Sequence, residues 1–235
     1  MFNQDFIQKL LYLDVETVSL YKDLSDLETE NPRAYSLWKK REAYYRSAFE
    51  EIKNESPEKI YSEKAGLEPE FSRVVCVSFG TFDSSSDSGK KFISFYGDDE
   101  KEILAKSAKV LGNAVTKGWK LCGHNIKGFD VPCLGKRMIY NGVPLPPNLR
   151  IWDKKPWETS FVDTSEVFSF GSWVHQKYLS LDLLSCSLGI SSPKESMDGS
   201  MVNHYYWGLN DFESIKKYCE SDVDTVMEVM GLLAI

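Results

Sequence analysis

Histidine is scarce in this chain. It has three, His124, His175 and His204, and none stands at metal-ligand spacing from another, so no chemistry is assigned to them. The five cysteines (Cys76, Cys122, Cys133, Cys186, Cys219) form no C-x-x-C pair and fall mostly within apolar patterns. They read as reduced thiols of a cytoplasmic protein, not as a disulfide frame or a zinc site. No stretch approaches the roughly 20 apolar residues of a membrane span. The first apolar patch carries Asp5 and Asp14 near it and does not read as a secretory signal. No internal repeat is present. Positive charge is also short, at 28 Lys and Arg against 35 Asp and Glu, a net −7 that argues against a nucleic-acid partner on overall charge alone.

What is present is ordinary in amount and uneven in placement. At 235 residues, 42% of them hydrophobic and 27% charged, the chain has ample length for a buried core. From Lys117 to Lys155, Lys117, Lys120, Lys127, Lys136, Arg137, Arg150, Lys154 and Lys155 face only Asp130 and Asp153. Such a strip suits phosphate contact, and suits solvated helix faces equally. Residues 21–70 hold nine basic and twelve acidic residues.

The pattern predicts a buried strand over 10–16. A charged helical insertion over 21–66 follows. In it a long helix is capped by Asn31-Pro32 and carries Tyr35, Trp38, Tyr45, Phe49 and Ile52, and a shorter one opens at Ser56-Pro57 and stops near Gly66. This block interrupts the sheet or serves as an arm for a protein partner. Residues 73–79 and 91–96 read as a hairpin across the Ser/Asp/Gly-rich link 83–89. Asp98 or Asp99 caps a helix carrying Ile103, Leu104, Ala108, Leu111 and Val115. Further strands are expected at 119–122 and 161–162, short helices near 181–188 and 201–207, and a final helix over about 211–233 with a capping box from Asn210 and Glu213. Three meandering strands followed by alternating strands and helices predict one α/β domain over 1–235, a mixed five-stranded sheet covered on both faces.

Four acids stand out against this frame. In Leu11-Tyr12-Leu13-Asp14-Val15-Glu16-Thr17, Asp14 and Glu16 project to one face of the strand, where two carboxylates repel each other. Alone, the pair is equally a strand end entering a solvated turn. After the 119–122 strand, Gly123-His124-Asn125-Ile126-Lys127-Gly128-Phe129-Asp130-Val131-Pro132 places Asp130 in the first turn of a helix with Val131, Leu134 and Met138 as its buried stripe. There Asp130 complements the helix dipole, or joins Asp14 and Glu16 at the strand's C-terminal edge. In the last helix Asp222 falls within the apolar arc of Phe212, Ile215, Cys219, Val223, Val226, Met230 and Leu233, with Tyr218 one turn before it. A buried carboxylate needs compensation. A salt bridge or the Tyr218 hydroxyl would provide it, and if the four acids converge, two divalent ions would satisfy all of them.

Asp14-x-Glu16, His124-Asn125-x-x-x-Phe129-Asp130 and Tyr218-x-x-x-Asp222 together resemble the three motifs of the DEDDy 3'–5' exonucleases, in particular exonucleases related to the proofreading domain of family-B DNA polymerases. Leu181-Asp182-Leu183-Leu184, Pro193-Lys194, Asp198-Gly199-Ser200 and Tyr218 to Val223 are similar to that family as well, and the resemblance covers about 10–20 and 67–233. It implies a ribonuclease-H-like fold. It also implies hydrolysis of phosphodiesters at single-stranded or frayed 3' ends by two Mg²⁺ or Mn²⁺ ions, releasing nucleoside 5'-monophosphates, with DNA expected and RNA left open.

By resemblance Asp14 is shared by both ions, Glu16 and Asp222 complete the nucleophile-side ion, and Asp130 serves the second through waters. Tyr218 orients the attacking water, a task that suits a phenol of ordinary pKa near ~10. The final helix has no histidine, which favours the tyrosine subclass. Asn125 and Phe129 are expected to line the terminal-nucleotide pocket, and Lys127 and Lys194 to hold phosphates. Asp163 is expected to be structural. The competing reading is a nucleic-acid-binding or scaffold protein with a little-used exonuclease-like site, its 21–66 insertion holding a partner.

Overall fold

The computed structural model describes residues 2–155, 158–159, 161–171, 179–190 and 197–234. Strand β1 (Leu10–Ser19) lies at the centre of a five-stranded sheet of order β3-β2-β1-β4-β5. It pairs antiparallel with β2 (Ser72–Phe82), which pairs antiparallel with β3 (Lys90–Tyr96). On its other side β4 (Lys120–Gly123) and β5 (Phe161–Asp163) run parallel to it. A mixed sheet of this kind buries its central strand on both faces, and eight of the ten β1 positions are buried, Asp14 and Thr17 being the half-buried ones.

The two faces have separate covers. Leu11, Leu13 and Val15 pack with Ile103, Leu104 and Leu111 of α5 (Glu100–Thr116) and Val131, Leu134 and Met138 of α6 (Asp130–Tyr140). Leu10 and Tyr12 pack with Val223, Val226, Met227 and Met230 of α10 (Phe212–Leu233). Gly80, paired with Tyr12, sets how closely α10 can lie. A Cβ there would sit 2.6 Å from Val223 Cγ1 and 2.8 Å from Met227 Sδ, so only glycine lets the helix pack at this depth.

Polar ties fix the covers. Buried Glu100 takes both forks of buried Arg137 (2.8 and 2.6 Å) and the Val74 N–H (2.7 Å), joining α5, α6 and β2. Lys90 of β3 pairs with Asp224 and, at 3.3 Å, with Glu228 of α10. The short helices α1 (Gln4–Ile7), α7 (Thr164–Val167), α8 (Leu181–Leu188) and α9 (Val202–His204) complete the frame. No described helix is long and apolar enough to cross a membrane.

Between β1 and β2 the chain forms α2 (Leu24–Glu30), α3 (Pro32–Ala48) and α4 (Pro57–Lys64). The caps are those expected, with Asn31 accepting from Ala34 N at 3.0 Å and Ser56 from Lys59 N at 3.2 Å. Helix α2, which the sequence pattern does not announce, starts where the Asp26 carboxylate accepts from Asp23 N. These helices enclose their own core, in which fully buried Trp38 makes edge contacts with Tyr61 and Phe71, each at 5.2 Å. The block is stitched to the sheet where Thr17 Oγ1 donates to Gly66 O (2.7 Å), and it closes on itself where Tyr21 N donates to Tyr61 Oη (3.2 Å).

Two local expectations are corrected. Helix α10 is capped by Asp211, which accepts from Ser214 N at 3.0 Å. Asn210 instead reverses the chain in the left-handed region at φ 54°, and Glu213 accepts from the Tyr96 hydroxyl. The helix expected over 201–207 is divided into a 3-10 turn (Gly199–Met201), α9 and a π-turn (Tyr205–Leu209). Its apolar residues Val202 and Tyr206 are buried in any of these windings.

Candidate active site

Strand parity brings Asp14 and Glu16 to the face that α10 covers, opposite Ser78 and Cys76 of β2, and the register shifts just after Glu16. The Cys219 thiol donates to the Asp14 carbonyl at 3.4 Å. Ligand atoms of Asp14, Glu16 and Cys219 all lie within 4.8 Å of one another. Asp14 Oδ2 is buried without a hydrogen-bond partner, and none of the described ion pairs involves Asp14, Glu16 or Asp130.

Asp130 arrives by a turn under tight control. A Cβ on Gly123 would lie 2.9 Å from the Leu13 carbonyl, so only glycine lets β4 end against β1 here. Asn125 is left-handed at φ 55°, and a Cβ on Gly128 would lie 2.3 Å from its side-chain oxygen. The buried Asp163 carboxylate at the end of β5 accepts from Asn125 N (2.9 Å), Lys127 N (3.1 Å) and Ser165 N (3.0 Å). His124 bridges the Thr164 hydroxyl (2.9 Å) and the Leu179 carbonyl (2.6 Å). With the turn so held, Asp130 enters α6 only 4% exposed.

The electrostatics record the convergence. Burial pushes the Asp14 carboxyl from 3.8 up to about 6. Burial, then the charges of Asp14, Asp222, Cys76 and Asp130, drive Glu16 well above the usual carboxylate range. Asp130 is raised by burial and then by Asp14. Tyr218 is raised by burial, then by the charges of Asp222, Glu16 and Asp14 and a hydrogen bond to Asp222, so it remains a phenol. Glu16 thus feels the charges of Asp14, Asp222 and Asp130, Asp130 feels that of Asp14, and Tyr218 those of Asp222, Glu16 and Asp14. Like charges crowded out of water in this way suit a hard divalent cation with oxygen ligands.

A pocket of about 150 Å³ opens beside Glu16, and Phe129, Thr17, Ser200 and Asn203 are in its wall. Asn125 and Lys127 are not among its lining residues. Lys127 pairs with Glu166, Lys136 with Glu70 at 2.8 Å, and Arg137 is consumed by Glu100, so three of the strip's eight basic residues are paired with acids. Lys194, Pro193 and His175 lie outside the described residues. Sequence reasoning missed Cys219. Its one available signal was its place between Tyr218 and Asp222 on the buried arc of α10.

Sheet order, helical covers and the acid cluster at the central strand define a ribonuclease-H-like α/β protein of the exonuclease type. In agreement, the structure matches the family B DNA polymerase from the hyperthermophilic archaeon Pyrobaculum calidifontis at 15% sequence identity with a TM-score of 0.55, over 95% of this chain and 24% of that one. The chain thus spans about a quarter of the polymerase's length. No curated protein sequence matches it. Residues 66–228 match the family model described as "Predicted 3'-5' exonuclease related to the exonuclease domain of PolB", and the chain belongs to that family.

Proposed function

We propose that this chain is a metal-dependent 3'–5' exonuclease of the DEDDy type. It would remove nucleoside 5'-monophosphates from single-stranded or frayed 3' ends, DNA being the expected substrate. The observation that supports the reading is the close grouping of Asp14 and Glu16 at a buried, unbonded Asp14 oxygen, with the charges of Asp222 and Asp130 felt at Glu16. Asp14, Glu16, Asp130 and Asp222 would hold two divalent ions, Mg²⁺ or Mn²⁺; when bound these supply Lewis-acid polarisation of water and phosphate.

The protein's own groups do the positioning. Tyr218, kept protonated by its acidic surroundings, can donate one hydrogen bond and accept another, which orients a water against the scissile phosphorus without removing its proton. Phe129 offers an aromatic face beside Glu16 on which a terminal base can rest. Asp163 keeps Asp130 in place through the backbone of the 124–130 turn. Water adds across one P–O bond, leaving a 5'-phosphate on the released nucleotide and a new 3'-hydroxyl on the shortened strand.

The test is shortening of a 5'-labelled single-stranded oligonucleotide with Mn²⁺, which Asp14→Ala should reduce to background with its far-UV circular dichroism unchanged. Wild-type protein that leaves both the DNA and the RNA oligonucleotide at full length would sink the reading.

A further inference from the structure

The pocket beside Glu16 has an unexpected fourth side. Besides β1, Phe129 and the 199–203 segment, its lining includes Ser62, Glu63, Gly66 and Leu67, the closing turn of the helical block between β1 and β2. That turn is fixed on both flanks. Thr17 Oγ1 donates to Gly66 O at 2.7 Å, and Asn203 Nδ2 donates to Ser62 O at 3.2 Å. Asn203 in turn accepts from both Ser19 N (3.1 Å) and Ser19 Oγ (3.0 Å), and Trp207 Nε1 donates to Ser19 O (3.3 Å). A block held this way is part of the site's wall, and its inner end cannot swing free as an arm.

The chemistry of the wall points to its ligand. The lining residues include two carboxylates, Glu16 and Glu63, but no lysine or arginine among those described, so the pocket disfavours a phosphate. What it offers is hydroxyl and amide groups from Ser62, Ser200 and Asn203, the half-buried ring of Phe129, and Leu67, an apolar side chain 55% exposed at the rim. Its volume of about 150 Å³ suits one ring system and not a base pair. A leucine left in water at the mouth of a polar, anionic pocket gains by covering the face of a neutral ring.

We infer that the closing turn of the helical block between β1 and β2 forms one wall of the terminal-nucleoside subsite, with Leu67, just past the 21–66 insertion, in contact with the last unpaired base. This rests on the exonuclease reading for the identity of the ligand, and it assigns the insertion to substrate selection. The wall admits an unpaired end and excludes a paired one.

The experiment compares two 5'-fluorescein single strands by anisotropy, one ending in an ordinary thymidine and one in an abasic sugar, with Ca²⁺ present so that cutting does not intrude. Wild-type protein is expected to bind the intact end about tenfold more tightly. Leu67→Ala should bring the two affinities within twofold, and Leu67→Met should restore the preference. All three proteins should share one thermal midpoint, since Leu67 is largely in water. If Leu67→Ala keeps the full preference, or Leu67→Met is as poor as the alanine variant, the wall assignment is overturned and the insertion is left to contact a protein. Failure of the exonuclease reading itself shows separately, as absence of shortening by wild type with Mn²⁺.

Discussion

Asp14→Asn swaps one carboxylate oxygen for an amide at nearly constant volume and removes the charge that its neighbours feel most. In the metal-free fold the Asp14 carboxyl titrates at about 6, against 3.8 for an ordinary aspartate. A group whose pKa is raised by folding holds its proton more tightly in the native state. Its contribution is fully present below its unfolded pKa and is lost as pH rises through the folded one. Glu16 and Asp130 are raised as well, so they carry the same sign and extend the window upward. For Asp14 the rise from 3.8 to about 6 corresponds to at most about 3 kcal/mol, since Glu16 and Asp130 compete with it for the same protons.

Urea unfolding in EDTA should therefore show wild type losing stability between about pH 4 and pH 7. Asp14→Asn should match wild type near pH 4 and exceed it at pH 8 by about 1–3 kcal/mol. Added Mn²⁺ at a hundred times its dissociation constant should restore about 2.7 kcal/mol to wild type at pH 8, and much less to the variant. A metal-free wild type that gains stability from pH 5 to pH 8, or an asparagine variant less stable than wild type at pH 8, refutes the reasoning. In either case the acids would be compensated by the protein itself and would have no need of an ion.

Other substitutions separate the parts. Tyr218→Phe should lower kcat by about ten- to a hundredfold while the Mn²⁺-induced rise in thermal midpoint persists; unchanged turnover would remove the hydroxyl from the reaction. Gly80→Ala forces a Cβ against Val223 and Met227 and should cost about 1–3 kcal/mol, with a fall in activity because α10 carries Tyr218 and Asp222. A stable, fully active Gly80→Ala would mean that α10 can shift without disturbing the acids.

Much of the fold was legible because its signals are local. Asn31-Pro32 and Ser56-Pro57 mark helix starts by chemistry confined to a few residues, and the alternation from Leu11 to Glu16 fixes a face without reference to the rest of the chain. The three acidic motifs were legible for the same reason. What stayed hidden depends on contacts between distant segments. Gly80 looks like any strand glycine until α10 is laid on it, and the pairing of Lys127 with Glu166, 39 positions away, has no local sign. The segment 199–209 passes through three windings while its buried residues keep an α-like spacing, so periodicity could not resolve it. The stitch from Thr17 to Gly66 spans 49 positions and carries no sequence signature.

The alternation of β1 has one more effect. Leu11, Leu13 and Val15 are locked among α5 and α6, and Tyr12 is locked under α10, so a slip of one residue would drop Asp14 into oil and lift Leu13 into the acid cluster. The apolar side chains thereby act as the alignment gauge of a polar instrument. Core residues such as Leu104 and Met138, packed in one cluster with Leu11, Leu13 and Val15, help to set the aim of the carboxylates through the strand, and trimming them should blur the site before it unfolds the protein.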